Sequence, residues 1–182
     1  LVSIPGQTMG MAVFTDPFID AFGLTRTQLA TAYLFGTIGS SFFLTSAGRW
    51  FDRLGGRTMI TLSSFFLGLM VLYISYIDVF SRTLGNSIYI TFLLMLVGFF
   101  GVRFWGQGVL TSCCRNVLLL WFVERRGLVS GIRGVVVSFG FSLAPLVLAY
   151  LILTLGWRGA LWALAIVVGF LFALLALVFI RD

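Results

Sequence analysis

The chain contains no histidine and no lysine, and only 10% of its residues carry charge. Without histidine there is no Ser-His-Asp triad, no H-E-x-x-H zinc motif and no His-ligated haem. G-x-S-x-G and the phosphate-cradling G-x-x-x-x-G-K-[ST] are also missing. An enzyme is therefore not expected, and no cofactor or metal is implied. The two cysteines, Cys113 and Cys114, are neighbours inside an apolar run. Adjacent cysteines rarely bridge, and no second pair exists to complete a metal site, so both read as small packing residues. There is no basic segment leading to a signal-peptidase site, and the chain starts at Leu1 rather than Met. It reads as truncated at both ends.

What is present is apolar. Hydrophobic residues make up 60% of the 182, and mean hydropathy is +1.09. A water-soluble domain of this size could not hide so much apolar surface. The lipid bilayer is the expected surrounding. A spanning helix takes about 20 apolar residues, which leaves room for about six. The twelve basic residues are all arginine and sit singly or in pairs between apolar runs. No basic stripe forms, so nucleic acid is not an expected partner, and the arginines read as setting topology.

Apolar runs and breaks place helix one at 1–22, helix two from a Thr25 N-cap to Trp50, and helix three at 58–77. A polar loop from Asp78 to Ser87 follows, with Arg82, Gly85 and Asn86. Helix four covers 88–122, helix five 128–154 with Pro145 inside, and helix six 160–180, before the terminal Arg181-Asp182. Arg49, Arg53, Arg57, Arg125, Arg126 and Arg181, with Arg133 close by, fall on one side; Arg26, Arg82 and Arg158 fall on the other. The excess assigns the first side, and both termini, to the cytoplasm. Comparing residues 1–80 with 85–182 reveals no convincing internal identity.

One turn stands out. Residues 48–57 read Gly-Arg-Trp-Phe-Asp-Arg-Leu-Gly-Gly-Arg. Gly48 suits a close approach of helices, Gly55 and Gly56 suit unusual backbone angles, and Asp52 can pair with Arg53 or Arg57. The pattern resembles the G-x-x-x-D-R-x-G-R-R/K loop between helices two and three of major facilitator transporters. Gly48, Asp52, Arg53, Gly55 and Arg57 match, and Gly56 replaces a basic residue. The resemblance implies an all-α membrane protein, with 1–182 as one N-terminal six-helix half of a twelve-helix fold. In that family this turn locks the cytoplasmic gate, substrate binds between the halves, and rocking gives alternating access. The missing C-terminal half, in the same chain or supplied by a second copy, would complete the cavity.

Other segments carry the resemblance further. Pro5-Gly6-Gln7-Thr8 with Gly10, and Trp121-Phe122 followed by Glu124-Arg125-Arg126-Gly127, are similar to bacterial oxalate–formate and monocarboxylate porters. Gly131, Gly140 and Pro145 fit three positions of the family's antiporter signature, G-x8-G-x3-G-P-x2-G. Ala144 and Leu148 depart from it, leaving ordinary small-residue packing as the plainer role.

Arg103 lies deep in helix four, where a lone charge costs at least about 2.5–3.5 kcal/mol and usually faces a polar cavity. At α-helical spacing Gln107, Thr111 and Cys114 share its face. The resembling family carries an R-x-x-Q-G-type motif here, matched approximately, and its arginine contacts substrate or couples protons. Arg115 lies about 18 Å further along the same helix. No Asp or Glu falls deep in a span, so the buried charge is positive. These residues lead to an expected transporter of a small organic anion, with Arg103, Gln107, Gln7, Thr111 and Arg115 as candidate substrate contacts. A different solute, such as a drug or sugar, or a non-transporting membrane module are the alternative readings.

Overall fold

The computed structural model describes residues 2–85 and 87–180; Leu1, Asn86, Arg181 and Asp182, named above at the termini and in the polar loop, lie outside the described residues. Every regular element among the described residues is helical. A 3-10 turn at Ile4–Gly6 leads to α1 (Thr8–Ala12) and α2 (Thr15–Phe22). Then come α3 (Arg26–Ser75), α4 (Ile77–Thr83), α5 (Ile88–Val102), a π-helical segment at Arg103–Leu110, and α6 (Thr111–Trp121). The chain ends in α7 (Arg126–Ala165), a second π-helical segment at Ile166–Phe172, and α8 (Ala173–Phe179).

Three continuous helical stretches are long and apolar enough to cross a membrane: Arg26–Ser75, Ile88–Trp121 and Arg126–Phe179. The first would be about 75 Å long if straight, more than twice the hydrocarbon thickness. It is not straight. Gly55 adopts φ 79 and ψ 164, a conformation only glycine takes without strain. Neighbours show that the chain reverses there. Before the break, a Cβ at Gly36 would meet Phe100 and Leu44 reaches Gly108, so this part runs parallel to α5 and the π segment. Beyond it, Ile74 meets Gly98 and Met70 meets Gly101, so the chain runs antiparallel. The expected turn over 48–57 is thus a one-residue break, with Gly48, Asp52 and Arg53 still helical. Gly156, at φ 71 and ψ 165, divides α7 in the same way.

Two further expectations are corrected. The loop proposed from Asp78 to Ser87 contains helix α4, and Asp78 is buried rather than in a wet turn. Helix one is not continuous: Gln7 is extended at φ −91, ψ 153, between the 3-10 turn and α1. The Thr25 cap is a full capping box, Thr25 Oγ1 accepting from the Gln28 amide at 3.2 Å and Gln28 Oε1 from the Thr25 amide at 2.9 Å.

Stretches 56–75 and 157–179 pack antiparallel. Arg57 Nε donates to the Leu177 carbonyl at 2.7 Å, Ser64 Oγ to Val168 at 2.5 Å, and Trp162 Nε1 to Ser75 Oγ at 2.8 Å. Arg158 ion-pairs with Asp78 at the far end. Around this axis Leu67, Val71, Ile74, Met95, Phe99 and Leu161 form the core. The outside stays apolar, with Phe42 77% and Leu153 85% exposed. Such a surface suits lipid, where helices associate through close packing of small residues rather than through water exclusion.

Candidate binding site at the broken first helix

The first helix breaks where it meets the π segment. Gly6 and Gly106 touch backbone to backbone: a Cβ on Gly6 would lie 2.7 Å from the Gly106 Cα. No side chain separates the two strands of main chain, so Gln7 and Gln107 come to the same place. They open into a cleft of about 510 Å³, also lined by Ser3, Thr111, Cys114 and Arg133. Apolar Val137, Phe141 and Phe172 complete its walls. One guanidinium, two amides, two hydroxyls and a thiol therefore face a shared space, and no carboxylate lines it. Such a lining can hold an anion by charge and orient it by neutral hydrogen bonds.

The five candidate contacts separate. Gln7, Gln107 and Thr111 meet at this cleft. Arg103 is absent from its lining. It is half-buried, with Nη1 3.3 Å from the Gly6 carbonyl and 3.5 Å from Thr8 Oγ1, and its guanidinium lies 5.2 Å from the centre of the Tyr33 ring. These partners account for the separation, because they draw the guanidinium toward Gly6, Thr8 and Tyr33 instead of into the cleft. Thr111 Oγ1 donates to the carbonyl of Gly106, five residues back, at 3.0 Å. Arg115 is exposed and outside the cleft.

Arg133 is not among the residues that the sequence alone singles out for the site; its signal is a charge inside the apolar helix α7, two turns from its start. In the expected gating motif, Gly48, Asp52 and Arg53 are exposed, while Arg57 holds the Leu177 carbonyl. Gly48 and Gly131 have no atom within 4 Å of a would-be Cβ, so neither makes a close helix contact among the described residues. Gly140 lines an apolar cavity beside Ala144, and Pro145 lies inside α7.

The sequence matches the Major Facilitator Superfamily over residues 1–182. The chain belongs to this superfamily. It is thus a multi-pass membrane protein of a transporter family. Among curated proteins it is similar to the probable L-galactonate transporter of Escherichia coli (strain K12), 25% identical over 141 residues. That match covers 77% of this chain and 28% of the relative, so the chain spans well under half of the relative's length. No solved structure matches the chain significantly.

A short pattern recurs in the two halves of the chain, in keeping with the superfamily's repeated architecture. Leu54-Gly55-Gly56-Arg57 and Leu155-Gly156-Trp157-Arg158 share L-G-x-R, with the same positive-φ glycine in each. Gly68 and Gly169 follow at equal distance beyond them.

Proposed function

We propose that the chain forms the N-terminal six-span half of a secondary transporter that moves small organic anions, monocarboxylates above all, by alternating access. The observation that carries this reading is the cleft where Gln7, Gln107 and Thr111 converge with Arg133 and no acidic side chain answers the positive charge. An uncompensated guanidinium at membrane depth is costly, and an anionic solute offsets it. In the proposed site Arg133 meets the carboxylate, while Gln7, Gln107 and Thr111 bond its remaining polar groups. So many neutral donors favour a hydroxylated acid over a bare short-chain one. The named solute of the E. coli relative, galactonate, is an acid of that kind, and the Pro5-Gly6-Gln7-Thr8 segment supports the oxalate–formate-like branch.

In this reading the membrane is a cell's inner membrane, and both termini face the cytoplasm, the orientation that the arginine excess supports. The helix end with Asp52 and Arg53, just before the Gly55 break, gates the cytoplasmic side against the C-terminal half, carried by the same chain or contributed by a second copy. Counterflow in proteoliposomes containing the full-length protein tests the assignment. Uptake of gluconate, galactonate or lactate is expected, with Arg133→Gln lowering it at least tenfold. Undiminished uptake by Arg133→Gln overturns the site, and undiminished uptake by Arg103→Ala removes Arg103 from any part in it.

A further inference from the structure

Arg103, Thr8 and Tyr33 form a closed network on the far side of the helix-one break from the cleft. Tyr33 Oη donates to Thr8 Oγ1 at 2.9 Å, Arg103 Nη1 approaches the same oxygen at 3.5 Å, and the guanidinium also reaches the Gly6 carbonyl at 3.3 Å. The Tyr33 ring carries that guanidinium on its face and is itself fixed edge-on by Phe99, with centroids 5.2 Å apart. Gly6 and Thr8 are the residues on either side of Gln7, the one residue extended between two helical pieces. The network thus holds the Gly6 carbonyl just before, and the Thr8 hydroxyl just after, the residue that faces the cleft.

We infer that Tyr33 and Thr8, acting through Arg103, are positioning residues that hold the helix-one break so that Gln7 is presented to the anion cleft. The physics is local. Interrupting a helix in lipid frees main-chain carbonyls that no water satisfies. The Gly6 carbonyl finds its donor in Arg103, at 3.3 Å. The arginine is in turn held in place by an aromatic face and a hydroxyl, so the break has one geometry rather than several. Nothing in this network lines the cleft except through Gln7. Its loss should weaken binding of every solute alike, without changing preference for charge.

The inference rests on the anion-cleft reading, and one experiment separates the two. Cys114 lines the cleft while Cys113 is buried, so protection of Cys114 from maleimide reports occupancy in the full-length protein bearing Cys113→Ala and no other reactive thiol. Galactonate, gluconate and lactate are the acids, and galactitol is the uncharged counterpart of galactonate. Thr8→Val and Tyr33→Leu should each raise the galactonate concentration for half-protection about five- to tenfold. Thr8→Ser should restore it, thermal unfolding should shift little, and the galactonate-to-galactitol preference should stay at its wild-type value. Arg133→Gln should instead collapse that preference. Wild-type affinity in Thr8→Val and Tyr33→Leu, or a collapse of charge preference in them, overturns the positioning role while leaving the cleft intact. An unchanged preference in Arg133→Gln, or no protection by any of the three acids, overturns the anion cleft and this inference with it.

Discussion

Gly68 and Gly169 lie backbone against backbone where stretches 56–75 and 157–179 cross, and a Cβ on either would overlap the other's Cα. The contact is bracketed by Ser64 bonding Val168 on one side and Trp162 bonding Ser75 on the other. Side chains of any size push this crossing apart. Gly68→Leu or Gly169→Leu is expected to destabilise the bundle by about 1–3 kcal/mol, the usual cost of overpacking a tight contact. Thermal unfolding in detergent checks this. Gly131→Ala, with open space around it, should show no loss.

The breaks at Gly55 and Gly156 are a second point of sensitivity. Both hold φ above 70 and ψ near 165, outside the regions other residues favour. Alanine at either should cost about 1–3 kcal/mol in strain. The same substitution at Gly48, where the backbone is helical, should cost nothing by this route. Comparing melting temperatures of the three variants checks the contrast.

The two ion pairs should differ in worth. Arg26 and Asp16 are both largely exposed, with side chains 72% and 76% accessible. Arg158 meets a carboxylate, Asp78, whose side chain is only 10% accessible and whose second oxygen is buried without a partner. Arg26→Ala should cost less than about 1 kcal/mol and lose even that in high salt. Arg158→Ala strands a buried carboxylate and should cost roughly 1–3 kcal/mol. The double variant Arg158→Met with Asp78→Leu should recover most of that loss, because it removes the stranded charge. Unfolding of the three variants across a salt series reads out each term.

A fourth expectation concerns the cysteines. Cys113 is 3% exposed and Cys114 lines the cleft. Maleimide labelling of the full-length protein, freed of any other reactive thiol, should fall by more than half in Cys114→Ala and be little changed in Cys113→Ala. Mass spectrometry of the labelled peptide distinguishes them.

Most of the helical plan was legible because lipid demands long apolar runs, and these are visible residue by residue. The Thr25 cap was legible from Thr25 and Gln28 alone. The breaks were harder. A single glycine reverses the chain at Gly55, where composition suggested a turn of ten residues, because Gly48 to Leu54 keep their helical bonds. Helix α4 was missed because its seven residues include Asp78, Ser81 and Arg82, which read as polar until Arg158, the Thr91 hydroxyl and the packing around them are known. The site was half legible. Helical spacing put Gln107 and Thr111 on one face with Arg103, and the Pro5-Gly6-Gln7-Thr8 segment drew out Gln7; Gln7, Gln107 and Thr111 line the cleft, whereas Arg103 turns to Gly6 and Tyr33. Arg133 and Tyr33 come from other helices, and only tertiary contact brings them into the argument.

The most direct test is solute binding by the full-length protein, comparing galactonate with galactitol in the wild type and in Arg133→Gln. The account predicts that the wild type binds the acid at least tenfold more tightly than the alcohol and that Arg133→Gln erases most of the difference. Equal binding of acid and alcohol by the wild type, or an undiminished preference in the variant, would contradict it.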